Sequence, residues 1–171
     1  MKKRVNLELV DCAVPLMARL DDGGVLCTVV DEKGKRNVLT LGWGQIGTGY
    51  HGHPIMSIAV TPRRYSWRFL EEVPEFVIAV PDASLEDEVL FCGTESGRNV
   101  DKFEATGLTP VASLHVRAPS ILECPYNLEC RVYTRIAPPH KLLTPEHRER
   151  PLDEQHTIYF AEVLGIYGWE G

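Results

Sequence analysis

The chain has 171 residues, 44% of them apolar and 25% charged, with a net charge of −6. Ordinary globular proteins run at roughly 45 to 50% apolar and 25% charged, so a packed core is expected and disorder is not, and the length suits one domain over residues 1–171. The negative balance and the lack of a run of four basic residues exclude a nucleic-acid groove, which needs clustered Lys and Arg, and no stretch reaches the roughly 18 to 20 consecutive apolar residues of a membrane span.

Met1-Lys2-Lys3-Arg4 leads into Asn6, Glu8 and Asp11 rather than an apolar signal core. The five cysteines (12, 27, 92, 124 and 130) form no Cys-x-x-Cys pair, so reduced thiols in the cytoplasm and no metal site are expected. Val25–Val30 is rich in β-branched residues, breaks at Asp31-Glu32-Lys33-Gly34-Lys35 and resumes over 37–41, which predicts a β-hairpin. Residues 42–47 spell Gly-Trp-Gly-Gln-Ile-Gly after that strand. A dinucleotide fingerprint would need a helix to start at these glycines, whereas Gly49, Gly52 and Pro54 follow at once, so a flexible glycine-rich loop is expected instead.

Strands are expected at 55–60 and 76–80, each closed by a proline within two residues, with one or two helical turns at 66–72 between them. A helix is predicted over 98–105, with Ser96 as N-cap and Gly107 as C-cap. Over Tyr126–Ile136, Leu128, Cys130, Val132 and Ile136 alternate with Asn127, Glu129, Arg131 and Arg135, which predicts a strand with one buried and one wet face. Residues 137–153 hold Pro138, Pro139, Pro145 and Pro151 among charges and read as an excursion before a last strand over 157–167. The sum is a mainly β chain, an antiparallel barrel or sandwich with short helices.

Three segments carry groups suited to an anionic, planar, amphipathic ligand. In the 37–43 strand, Asn37, Leu39, Leu41 and Trp43 share one side and Thr40 takes the other; an ordinary barrel strand would look the same. In Thr61-Pro62-Arg63-Arg64-Tyr65-Ser66-Trp67, guanidinium and hydroxyl groups surround a helix start, a common phosphate site, and an exposed turn is the plain alternative. In Cys92-Gly93-Thr94-Glu95-Ser96-Gly97-Arg98-Asn99-Val100-Asp101-Lys102-Phe103, a capped surface helix would account for Ser96 but leaves Gly93 and Gly97 unexplained.

These segments resemble the flavin reductase-like family, whose fold is the FMN-binding split barrel. Residues 92–103 fit the pattern C-G-x-x-S-G-R-x-x-D-K-F at each fixed position. Asn37, Thr40 and Trp43 resemble its N-x-x-T-x-x-W strand, and Pro62 to Ser66 its P-x-R-Y-[ST] turn. Pro119, Glu123-Cys124 and Leu128-Glu129-Cys130 resemble a later strand, so the likeness covers residues 13 to 165.

The resemblance implies an antiparallel split β-barrel of Greek-key type holding FMN without a covalent link. It sets Asn37, Thr40 and Trp43 along the flavin, Arg64 and Ser66 near the ribityl phosphate, and Ser96 and Lys102 in the polar cradle. Leu39, Cys92 and Phe103 are counted with them as cofactor-binding. It also implies a homodimer, with Tyr167 or Trp169 covering the partner's ring. The long loop over residues 44–52 departs from the family's pattern and is expected to reshape the approach to the flavin. In such a protein the redox chemistry belongs to the cofactor, so no catalytic side chain is required, and Cys92 is read as a packed thiol. The implied activity passes electrons from NAD(P)H through FMN to flavin, iron or a protein. The alternatives are a flavoredoxin-like carrier without nicotinamide activity of its own and a non-catalytic barrel.

Overall fold

The structure is a computed structural model that describes residues 2–49, 52–144 and 150–170. Thus Tyr50 and His51 of the 44–52 segment, and residues 145–149 of the proline-rich excursion, lie outside the described residues.

The chain is mainly β. In order, its elements are β1 (Lys3–Asn6), α1 (Leu9–Asp21), β2 (Val25–Val30), β3 (Arg36–Leu41), β4 (Gly44–Thr48), β5 (Pro54–Val60), α2 (Trp67–Glu72), β6 (Glu75–Val80), α3 (Glu86–Thr94), α4 (Lys102–Thr106), β7 (Pro110–Val111), β8 (Ser120–Ile121), β9 (Tyr126–Ile136) and β10 (Thr157–Glu170). One antiparallel sheet runs β3-β2-β6-β9-β10-β5-β4, with β1 on the far end of β10 and β7-β8 as a separate pair. The sheet ends at β3 and β4, which follow each other in the chain, so the split falls at Gly42 and Trp43.

Alternation along β2 explains how the sheet is covered on both faces. Val25, Cys27 and Val29 point into the main core with Leu39, Ile58, Phe76, Leu128 and Tyr159, while Leu26 points outward to a second cluster with Val38, Val89, Cys92 and Phe103. Helices α3 and α4 therefore lie on the outside of β2 and β3, and Cys12 and Leu16 of α1 pack into the main core.

Four local expectations need correction. Gly44 to Thr48 is not a loop but β4, paired with β5 so that Ile46 faces Met56; a Cβ on Gly44 would come within 2.8 Å of Met56 and 3.2 Å of the Ser57 carbonyl, so the glycine permits close strand contact. No helix starts there, as the rejection of the dinucleotide reading requires. The cap of the C-terminal short helix is Asp101, whose carboxylate accepts from the Phe103 and Glu104 amides, while residues 96–101 form a turn.

The supposed wet face of β9 is buried at Asn127 and Glu129. Asn127 bonds Ile121 and Cys124, and Glu129 accepts from the Leu114 and His115 amides, so a loop covers what water was expected to cover. Helices α1 and α3 were not foreseen, the former because Pro15 sits inside it and Glu8 caps it. A start signal for α3 does exist in Asp82, which caps the 3-10 turn Ala83–Leu85 leading into it, and in the acids Glu86, Asp87 and Glu88 of its first turn.

Candidate functional site

Helix α3 ends beside β3, and the carbonyls at a helix C-terminus lack intrahelical partners. Two cations answer them. Lys102 donates to the Cys92 carbonyl at 2.7 Å and Arg64 to the Gly93 carbonyl at 3.1 Å. Each spends one N–H on the helix end and keeps others free. Gly93 and Gly97 let this turn approach the sheet: a Cβ on Gly93 would lie 3.2 Å from Thr40 Cβ, and one on Gly97 only 2.3 Å from Asn37 Oδ1 and 3.0 Å from Tyr65. Both glycines are thus explained by close contact.

The result is a cavity of about 190 Å³ lined by Asn37, Leu39, Arg63, Arg64, Tyr65, Ser66, Ser96, Gly97, Arg98 and Lys102, with Glu95 as its one carboxylate. Asn37 donates to Ser66 Oγ at 2.8 Å, and Ser96 Oγ accepts from the Arg98 amide at 3.3 Å. Arg63 is taken by Asp153 and Glu154; among the described residues Arg64, Arg98 and Lys102 have no carboxylate partner. Lys102 is 5% exposed, and burial pulls its pKa below the ordinary lysine value. A buried ammonium with no counter-ion is costly, and an anion in this cavity would supply the missing charge.

Arg64 also borders a second cavity, of about 220 Å³, walled by Thr40 to Trp43, Ala59 to Thr61 and His156. Trp43 and His156 in turn border a third, about 500 Å³ and largely apolar, closed by His140, Leu142, Arg150, Gln155 and Ile158. Trp43 is 51% exposed, and its ring lies 4.7 Å from that of His156, centre to centre. The excursion is held in place from within: His140 donates its amide to Gln155 and its Nε2 to the His156 carbonyl, and Gln155 donates to the Arg150 carbonyl. Three cavities thus form a track from a cationic end to an apolar one.

Residues 17–170 match the family described as "Flavin reductase like domain". The chain belongs to the flavin reductase-like family. An uncharacterised protein of Archaeoglobus fulgidus is 37% identical over 138 residues, covering 81% of this chain and 68% of that one. Flavoredoxin of Desulfovibrio vulgaris (Miyazaki F) superposes with a TM-score of 0.68 at 24% identity, over 84% of this chain and 67% of its own. The FMN-binding domain of a flavin reductases-like enzyme from Shewanella baltica OS155 gives 0.68 at 17%, over 98% and 78%. The chain spans about two thirds of the length of the first two. At these identities the solved structures establish the FMN-binding split-barrel fold, and the family supports flavin binding.

The structure brings most of the sequence-predicted residues to this track. Asn37, Leu39, Arg64, Ser66, Ser96 and Lys102 line the cationic cavity, and Thr40 and Trp43 line the middle one. Thr40 also donates to the Val89 carbonyl at 2.5 Å. Cys92 and Phe103 lie behind the track in the second cluster; burial pushes the Cys92 thiol up to about 11, which fits a packed thiol. Tyr167 is taken up within its own chain, 6% exposed and bonded through its hydroxyl to His115 at 2.7 Å, and Trp169 donates to the Ile121 carbonyl. Sequence reasoning passed over Arg98, although it stands inside the quoted motif, and His156, which only the β10–β5 pairing carries to Trp43.

The donor set fits a flavin mononucleotide. The cationic cavity offers unpaired guanidinium and ammonium groups for a phosphate, and the middle one offers strand backbone and the Trp43 side for a planar ring.

Proposed function

We propose that this protein is a flavin reductase-like oxidoreductase that holds FMN non-covalently and passes electrons from NAD(P)H to free flavin, iron or a protein acceptor. The observation that carries the reading is the track itself: Arg64 joins the cationic cavity to the middle one, and Trp43 with His156 joins the middle one to the apolar one. FMN, when bound, supplies the hydride and electron chemistry. Arg64, Arg98 and Lys102 hold its phosphate, Asn37 and Ser66 fix one another beside it, and Trp43 and His156 shield its ring from water. The apolar cavity beyond them is where a nicotinamide or an acceptor would approach.

The reading includes a cytoplasmic homodimer, with the whole chain as one flavin-binding unit. Five free, buried cysteines fit a reducing compartment. A second copy is supported by the exposed Val10, Val14 and Met17 on one face of α1, which run into a groove at Leu20 and Gly44 next to Trp43. Light scattering at micromolar concentration should give twice the 19.2 kDa chain mass.

A flavoredoxin-like carrier is the second reading, favoured by the likeness to flavoredoxin. Anaerobic mixing with NADH or NADPH separates the two. Rapid bleaching of the flavin's long-wavelength band is expected of the reductase; a protein that binds FMN but stays yellow is the carrier, and one that takes up no FMN is neither.

A further inference from the structure

The Arg150 backbone is fixed at the wall of the apolar cavity of about 500 Å³ by a single buried side chain. Gln155 is 7% exposed; it donates from Nε2 to the Arg150 carbonyl at 2.9 Å and accepts the His140 amide at 3.1 Å. One side-chain amide, satisfied at both ends, ties His140 to Arg150 and sets both beside the cavity.

The guanidinium placed there meets no acid. Among the described residues Arg150 has no carboxylate partner, and no Asp or Glu lines the cavity. Asp153 and Glu154, which follow it in the chain, are both turned to Arg63, at 2.6 and 2.7 Å. The charge acts on the cavity all the same: after burial, Arg150 is the foremost cause that holds the His156 pKa below the usual 6.5, ahead of Arg64 and His140. His156 is thus mainly neutral at pH 7, and Arg150 is the one Arg or Lys of the lining. Leu142, Ile158 and the rings of Trp43 and His156, tilted by 58° to each other, form the apolar walls.

A cavity with apolar and aromatic walls and one guanidinium complements a molecule that is mostly apolar and carries one negative charge at one end. The faces of Trp43 and His156 favour a ring, and the size falls within the roughly 300 to 1,000 Å³ that encloses a small organic ligand. A nicotinamide dinucleotide is a poorer match, because its diphosphate and riboses need several polar partners. Here the Gln155 amide is already engaged at both ends, and His140 is engaged with the His156 carbonyl.

We propose that this cavity binds a small aromatic carboxylic acid, with its ring against Trp43 and His156 and its carboxylate on Arg150. This deepens the flavin reading by naming the class of small molecule that would share the track with the flavin, and Arg150 as the residue that selects it. It rests on that reading for the neighbouring ring and not for the binding of the acid.

The test titrates the full-length protein by calorimetry, with and without FMN, in the native chain and in Arg150→Gln. The probes are benzoate, cinnamate and naphthoate, each against its neutral amide, and NADPH. Arg150 is exposed, so the variant should fold, which circular dichroism checks. The expected result is one-to-one binding of at least one acid, about tenfold or more tighter than its amide. In Arg150→Gln that preference should vanish, with the amide changed less than twofold. No binding of any of the three acids, equal affinity for acid and amide in the native chain, or an unchanged preference in the variant overturns the inference. So does a loss confined to NADPH, which assigns Arg150 to the nicotinamide donor. A native chain that selects the acid but takes up no FMN upholds the acid site and sinks the flavin reading; one that takes up FMN but no acid does the reverse.

Discussion

Asn37 donates from Nδ2 to Ser66 Oγ at 2.8 Å, while its Oδ1 stands 2.3 Å from the place a Cβ on Gly97 would occupy. One buried amide therefore joins strand β3, the turn before α2 and the glycine turn after α3. Gly97→Ala should displace Asn37 and Tyr65 together. A forced shift of packed side chains costs on the order of 1 to 3 kcal/mol, so FMN affinity should fall roughly tenfold or more in a fluorescence titration. An affinity equal to the native value would show that this contact does not shape the cavity.

The cationic cavity should read phosphate rather than ring. Charged hydrogen bonds to phosphate contribute about 1.5 to 3 kcal/mol each, so Arg64→Ala, Arg98→Ala and Lys102→Ala should each weaken FMN about ten- to hundredfold. Riboflavin, which lacks the phosphate, should lose little. Trp43→Ala should reverse the pattern, weakening both ligands alike. Calorimetry with the two ligands separates these cases.

The His156 imidazole carries a pH signature. Burial, aided by Arg150, Arg64 and His140, holds its pKa below the usual 6.5. The unfolded chain therefore binds the proton more readily than the fold, so this contribution is intact above pH 6.5 and lost as pH falls through the lower folded value. Urea midpoints measured from pH 7.5 to 5 should drop more steeply for the native chain than for His156→Gln. Identical slopes would remove His156 as the source.

Glu129 is a buried carboxylate held by the Leu114 and His115 amides at 2.7 to 3.0 Å. Glu129→Leu leaves both donors without a partner, at about 1 to 3 kcal/mol each. A loss of about 2 to 4 kcal/mol by urea unfolding is expected, with FMN affinity in the folded fraction preserved, because none of the three cavities reaches this loop.

The contrast between these residues shows what could be read in the chain. Asn37, Ser66, Ser96 and Lys102 are legible as one cluster because glycine, hydroxyl and cation recur in short local patterns, and the structure brings all four to one cavity. Glu129 was misread because alternation records which face a side chain takes and not what covers that face. The 42–47 glycines read as a loop in the sequence because close β4–β5 packing and a flexible turn ask for the same residue. His156 and Arg150 gave no local signal, since their meeting with Trp43 depends on strand order across the whole sheet.

On the flavin reading, one end of this track grips a phosphate and the next cavity a flavin ring. Titration of the full-length apoprotein with FMN and with riboflavin, side by side, tests it most directly. FMN should bind one-to-one and at least tenfold tighter than riboflavin, with the difference shrinking as salt is raised. Equal affinities for the two, or no binding of either, would contradict it.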